Sequence, residues 1–173
     1  MAYRPATLDA LQNRLIAACT PDLLTPEYRR GWTPENPHFG FCSTASEVMW
    51  FVLGGSPAGW HAHVVRDTDG STHWWLEHDD GTRLDPTVEQ YRSVGEVPPY
   101  ERGLRGSAGG FMGIRRDEAS PWGFGRRPSR RAAVLLNRLL EGDGVSPATP
   151  AAVAAWVAQW RSPPPPARRA RLR

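Results

Sequence analysis

Residues 42–85 read CSTASEVMWFVLGGSPAGWHAHVVRDTDGSTHWWLEHDDGTRLD, and this stretch decides the fold. Positions 42–53 are mostly apolar with a small solvent face, and Gly54-Gly55 stops them, so the pattern predicts a buried central helix. Beyond the glycines the pattern changes to strands. Positions 60–66, 71–77 and 82–85 are separated by Asp69-Gly70 and Asp79-Asp80-Gly81, both hairpin signals. A helix followed by an antiparallel meander is the α+β order.

Working outward, residues 7–19 predict an amphipathic helix capped by Thr7, with Leu8, Leu11, Leu15 and Ile16 on one face and Thr20-Pro21 ending it. A short helix follows from Thr25 and Pro26. Residues 31–40 are too rich in Pro and Gly for regular structure. Residues 86–128 predict ordered loops with one more strand near 111–114. Pro128-Ser129 opens a helix through Glu141, with Ala132, Leu135, Leu136, Leu139 and Leu140 inward and Gly142 as the stop. Thr149-Pro150 opens a last helix to about Trp160. Residues 162–173, polyproline and then arginine-rich, are expected to be disordered. One α+β domain over 1–161 results, led by helices and closed by C-terminal helices.

Composition agrees. The chain has 173 residues, enough for one core. All 21 basic side chains are arginine against 18 acids, a net charge of +3. The absence of lysine is what a GC-rich genome imposes, but the distribution is uneven. Residues 1–100 hold 7 Arg and 13 acids, whereas residues 101–173 hold 14 Arg and 5 acids. An acidic half therefore precedes a basic one. No apolar run approaches the about 18 residues of a membrane span. The first residues lack the apolar core of a signal peptide, so a cytoplasmic location is expected. In a reducing compartment Cys19 and Cys42 are expected to be free thiols.

Cys42 is the strongest chemical candidate. It sits where a loop becomes a helix, so unpaired backbone N–H groups and the positive end of the helix dipole favour its thiolate. The same N–H groups can bind an oxyanion. A cysteine nucleophile needs a base and the base an orienting partner. His73 lies within the second strand and Asp85 at the end of the third. With a two-residue turn at Asp80-Gly81, Leu76 would oppose Asp85, and Asp85 would point away from His73. With a three-residue loop, Gly81 taking the left-handed position, Trp75 opposes Asp85 and the two side chains share a face. The sequence permits either.

This order of residues resembles the transglutaminase-like and arylamine N-acetyltransferase-like branch of the papain-type thiol enzymes. More closely, Asn36-Pro37, Gly40-Phe41-Cys42, His73-Trp74-Trp75, Asp80-Gly81, Leu84-Asp85-Pro86-Thr87 and Glu89-Gln90-Tyr91 are similar to the small bacterial YunG-type proteins, over roughly residues 30–95. The resemblance implies a papain/transglutaminase-like fold, with Cys42 as nucleophile, His73 as base and Asp85 as the residue orienting the imidazole. Ser43 departs from the small apolar residue usual after the cysteine. Asn36 is the only nearby upstream amide in the place of the papain-type oxyanion glutamine.

Candidate substrate contacts are Asn36, Phe41 and Trp74 beside the proposed triad, His61 and His63 alternating on the neighbouring strand, and Arg105, Arg126 and Arg127 in the basic half. His61 and His63, with His73 or Asp85, also make a rival metal site, although no cofactor or metal is expected. Gly103–Gly110, flanked by Arg102 and Arg105, can present N–H groups to an anion but lacks a P-loop ending. Arg126-Arg127 and Arg130-Arg131 cluster at a helix start, interleaved with Trp122 and Phe124, as a surface for an anion or nucleic acid. Two functions follow. One is cysteine-dependent acyl transfer on a small-molecule or peptide substrate, by hydrolysis, deamidation or amine acylation. The other is a non-catalytic, phage-derived binding module using the arginine surface.

Overall fold

A computed structural model describes residues 5–66, 70–106, 111, 113, 114, 118, 120–122, 124 and 126–161. Helix α1 (Pro5–Ala17) begins two residues before the expected Thr7 cap, because Pro5 fits the first turn, where no N–H is needed. Helix α2 (Pro26–Gly31) is set by Thr25 and Pro26 as expected. Helix α3 (Cys42–Leu53) follows the irregular 32–41 segment, and Gly54 ends it at φ 98°, a left-handed position suited to glycine. Of its twelve residues, every one but Ser43 is buried.

Strands β1 (Trp60–Arg66), β2 (Thr72–His78), β3 (Arg83–Leu84) and β4 (Leu104–Arg105) form an antiparallel sheet in the order β3-β2-β1-β4. Between β2 and β3 the register pairs Leu76 with Leu84 and Glu77 with Arg83. That register requires the three-residue loop Asp79-Asp80-Gly81, with Gly81 at φ 87°. The Asp69-Gly70 turn lies partly outside the described residues, as do 107–110 of the glycine-rich loop and the whole 162–173 tail. No strand forms at the described residues of 111–114. The extra strand is β4, whose Leu104 is 72% exposed. It joins β1 through backbone hydrogen bonds and so leaves no apolar pattern to read.

The period-two alternation gives the sheet two different faces. Trp60, Ala62, Trp74 and Leu76 face α3 and join the main core, whose other side is built from α1, α5 (Arg130–Gly142) and α6 (Pro150–Arg161). The five apolar residues expected on the inner face of α5 are all buried. The opposite face carries Val65, His73 and Trp75, each at most 3% exposed. The segment from Asp85 to Arg105, including the short helix α4 (Glu89–Arg92), covers it. Gly103 is required there, since a Cβ would collide with the Trp75 ring.

The two C-terminal helices are tied to α3 by charged side chains, Glu47 of α3 itself and Arg161 at the end of α6. The Glu47 carboxylate accepts from Ser129 N–H and Ser129 Oγ, each at 2.7 Å, and Ser129 in turn caps α5 by accepting from Ala132 N–H. Arg161 donates to the carbonyls of Phe51 and Val52 at 2.7 Å, joining Gly54 N–H on the Phe51 oxygen at the end of α3. Burial pushes the Glu47 carboxyl upward, and its bonds to Ser129 pull it back. Replacing Glu47 by alanine is expected to cost about 2 kcal/mol, because the Ser129 donors lose a buried acceptor. Urea unfolding measures this, and Glu47→Gln, which retains an acceptor, should recover part of the loss.

Trp122 and Phe124, expected to interleave with arginines on a binding surface, instead pack inward. Trp122 is 6% exposed and the Phe124 ring lies 5.3 Å from that of Phe51. Covering the apolar flank of α3 outweighs exposing two aromatics. His78, expected at an exposed turn, is also packed. Its ring lies 4.9 Å from Trp60 and it bonds to the Ala58 carbonyl.

Candidate active site

The short length of β3 places Cys42. Because β3 reaches only Leu76 and Glu77, the first half of β2 keeps an edge with unpaired carbonyls, which need donors when buried. Helix α3 supplies them: Cys42 Sγ donates to Thr72 O at 3.4 Å and Ser46 Oγ to Trp74 O at 3.1 Å. Cys42 is the first residue of α3, 8% exposed, with Phe41 as the cap. The thiol thus sits at the sheet edge beside His73, the residue after Thr72.

His73 lies at the centre of a closed polar ring. Its Nε2 bonds Asp85 Oδ2 at 2.7 Å, with both side chains under 5% exposed. Asp85 Oδ1 accepts from Thr87 N–H at 3.0 Å and Thr87 Oγ1 at 3.4 Å. This is the local turn that an Asp two residues before a Thr favours. Gln90 Nε2 closes the ring, 3.1 Å from Thr87 Oγ1 and 3.0 Å from His73 Nδ1. Tyr100 donates its hydroxyl to Asp85 Oδ2 at 2.7 Å. The imidazole is walled by Trp75, stacked at 5.9 Å, and by the edge of Tyr91 at 4.8 Å.

Burial alone would push the His73 imidazolium down. Hydrogen bonds to Asp85 and to Cys42, with the charges of both partners, more than offset it and raise His73 to about 9. Nε2 is held by Asp85 and Nδ1 faces Gln90, with the Cys42 thiol as the ring's further side-chain partner. His73 therefore carries its proton at neutral pH, between a carboxylate and a thiol. Cys19, by contrast, is pushed up to about 12 by burial despite the nearby Arg138 charge.

The other candidates lie outside this ring. Phe41 is 1% exposed, and Trp74 packs on Phe111 at 5.2 Å with its indole N–H on Thr72 Oγ1; both belong to the main core. His61 and His63 share the sheet face of His73. They pair outward, His61 with Asp79 at 2.8 Å and Arg105, and His63 with Glu77 at 3.8 Å and the Trp75 ring. Asn36 turns back on Thr33, and its Oδ1 is buried without a hydrogen bond. Arg126 and Arg127 lie in the segment leading to α5, Arg127 paired with Glu118 at 2.9 Å. Among the described residues no group of three His, Cys, Asp or Glu is arranged to hold a metal ion.

Sequence reasoning assigned no role to Thr87, Gln90, Tyr100 or His38. Thr87 and Gln90 stood in the segments that carried the resemblance, two and five residues after Asp85. Tyr100 lies fifteen residues from Asp85 behind Pro98-Pro99 and gave no signal. His38 hydrogen-bonds the Pro86 carbonyl; burial lowers its imidazole, against the raising effect of that bond and of Glu89 and Asp85.

A helix-led antiparallel α+β chain with a buried Cys–His–Asp cluster is the class that fold and site define. The YunG protein family model matches residues 7–106, more than half of the chain, and the protein belongs to that family. Neither a curated protein nor a solved structure matches it. The match runs from α1 to β4 and contains all of the residues of the polar ring. Arg126, Arg127 and the helices α5 and α6 lie beyond it.

Proposed function

We propose that the protein is a cysteine-dependent acyl-transfer enzyme with a papain/transglutaminase-like arrangement, in which Cys42, His73 and Asp85 act as a triad. The observation that carries this reading is the buried His73 imidazole, bonded to Asp85 through Nε2 and also in hydrogen-bond contact with the Cys42 thiol. The proton given up by Cys42 already rests on His73 before the attack, and the sulfur, as thiolate beside that imidazolium, adds to an amide or thioester carbonyl. The backbone N–H groups opening α3, free of helical partners, receive the developing oxyanion. The leaving amine or thiol takes the proton from His73, and a thioester remains on Cys42. Water or an amine then attacks that thioester, giving its proton to His73, and Cys42 leaves as the thiolate beside the re-formed imidazolium. Asp85 holds the ring orientation and its charge throughout.

Selective labelling tests this. At pH 6.5 iodoacetamide is expected to modify Cys42 about 100-fold faster than Cys19, whose thiol burial keeps protonated. Equal rates for the two cysteines would overturn the activated-thiol reading.

A second reading has its own observation. A cavity of about 550 Å³ in the arginine-rich half is lined by Trp122, Arg127, Arg130 and Asn137, among others. Forked guanidinium groups there suit an anion or a nucleic-acid phosphate. Salt-sensitive nucleic-acid binding lost on replacing Arg126, Arg127, Arg130 and Arg131 with serine would support it, and its absence in the native protein would remove it.

A further inference from the structure

Behind the polar ring lies a cleft of about 450 Å³ between α1, β3 and α4. Its apolar floor includes Leu8 and Leu84, and Arg83, Arg92 and Tyr100 stand on its walls. The volume suits a small molecule. Arg83 lies over the Tyr100 ring with its guanidinium carbon 4.1 Å from the centroid. Arg92 lines the same cleft, and both cations act electrostatically on the Tyr100 phenol. Each spends only part of its fork on a neighbour: Arg83 uses Nε on Glu77, and Arg92 uses one terminal nitrogen on Glu89. Two carboxylates also stand on the wall, Asp9 and Asp85. Asp85 is committed to His73, Thr87 and Tyr100, which leaves Asp9 as the opposing charge.

We propose that this cleft binds a small organic acid, its carboxylate held by Arg83 and Arg92 and its apolar body laid on Leu8 and Leu84. Planar forks match a carboxylate by paired N–H bonds, and the floor selects a ligand with a hydrocarbon part over a bare inorganic anion. The cleft meets the ring at Asp85, and neither His73 nor Cys42 is among the residues lining it, so it is distinct from the position of the acyl group. Tyr100 spans the two places. Its ring carries Arg83, and its hydroxyl shares Asp85 Oδ2 with His73 Nε2. An acid that draws Arg83 toward its carboxylate shifts Tyr100 and alters how Asp85 holds His73. This coupling, though not the binding, rests on the triad reading.

The test uses the full chain with benzoate and hexanoate as probes, and benzyl alcohol and inorganic phosphate as controls. Side-chain N–H resonances of Arg83 and Arg92 should shift saturably with both acids, with a Kd of about 1 mM or tighter. Acid-induced shifts of the Tyr100 ring protons, a readout the variant retains, should vanish in Arg83→Gln/Arg92→Gln, whose altered side chains are largely exposed and whose fold should persist. Equal shifts with benzyl alcohol, tighter binding of phosphate than of benzoate, or no saturation would overturn the site. For the coupling, saturating benzoate should change the Cys42 alkylation rate about fivefold or more in the native chain and leave it unchanged in Tyr100→Phe. Binding without any change in that rate would overturn the coupling and leave the site standing. Slow Cys42 alkylation with intact acid binding would instead count against the triad.

Discussion

His73→Gln is expected to slow the alkylation of Cys42 at pH 6.5 by about 100-fold while leaving that of Cys19 unchanged. At this pH His73 holds its proton, so its imidazolium is the charge that keeps the Cys42 sulfur as the reactive thiolate, and a group positioned to take such a proton contributes about 10²–10⁴-fold. In this protein no other described imidazole bonds to Asp85 or acts on Cys42. Glutamine keeps a polar group of similar length for Asp85 and Gln90 to meet, so the comparison isolates the proton acceptor from the packing. Replacement of His61 or His63, which pair outward with Asp79 and Glu77, should alter the rate little. A loss equal to that of His73→Gln in either variant would place the base elsewhere on the sheet.

The largest stability effect is expected at Asp85. Its two oxygens serve His73, Tyr100 and Thr87, so Asp85→Ala strands a buried imidazole and a half-buried phenol and should cost about 4 kcal/mol. The pH dependence has a definite sign. His73 binds its proton more tightly when folded, up to about 9, than its ordinary 6.5. The pair therefore contributes fully below about pH 6.5, and its contribution is lost as pH rises through 9. The amplitude of that loss is about 3 kcal/mol. Urea unfolding at pH 6 and pH 9.5 measures it. The native chain should lose that much more stability than Asp85→Asn between the two pH values. Parallel curves would show that Asp85 does not hold the His73 proton.

Much of the site was legible because it sits where periodicity is strong. Helix α3 announced itself by an apolar run and two glycines. The Asp79-Asp80-Gly81 loop length fixed whether Asp85 faced His73, and the register of Leu76 with Leu84 takes the longer of the two options. Elements held by backbone bonds or long reach were not legible. Leu104 and Arg105 join the sheet with both side chains exposed, so burial left no mark on their pattern. Tyr100 and Gln90 reach the ring from irregular or very short segments, where spacing says nothing about direction. Trp122 and Phe124 looked like binding aromatics because arginines surround them, yet an aromatic near charge still buries when an apolar helix flank needs covering. The charge division persists at a coarser level, since the family match covers the acidic half and stops near where the basic half begins.

The most direct test of the central claim is to trap an acyl-enzyme. The full chain is mixed with a series of thioester and activated amide donors, quenched in acid, digested and weighed peptide by peptide. The account predicts a donor-dependent mass increase on the peptide containing Cys42, cleaved by hydroxylamine, absent in Cys42→Ala and strongly reduced in His73→Gln. Acylation of Cys19 to the same extent as Cys42, or no adduct on Cys42 with any donor, would contradict it.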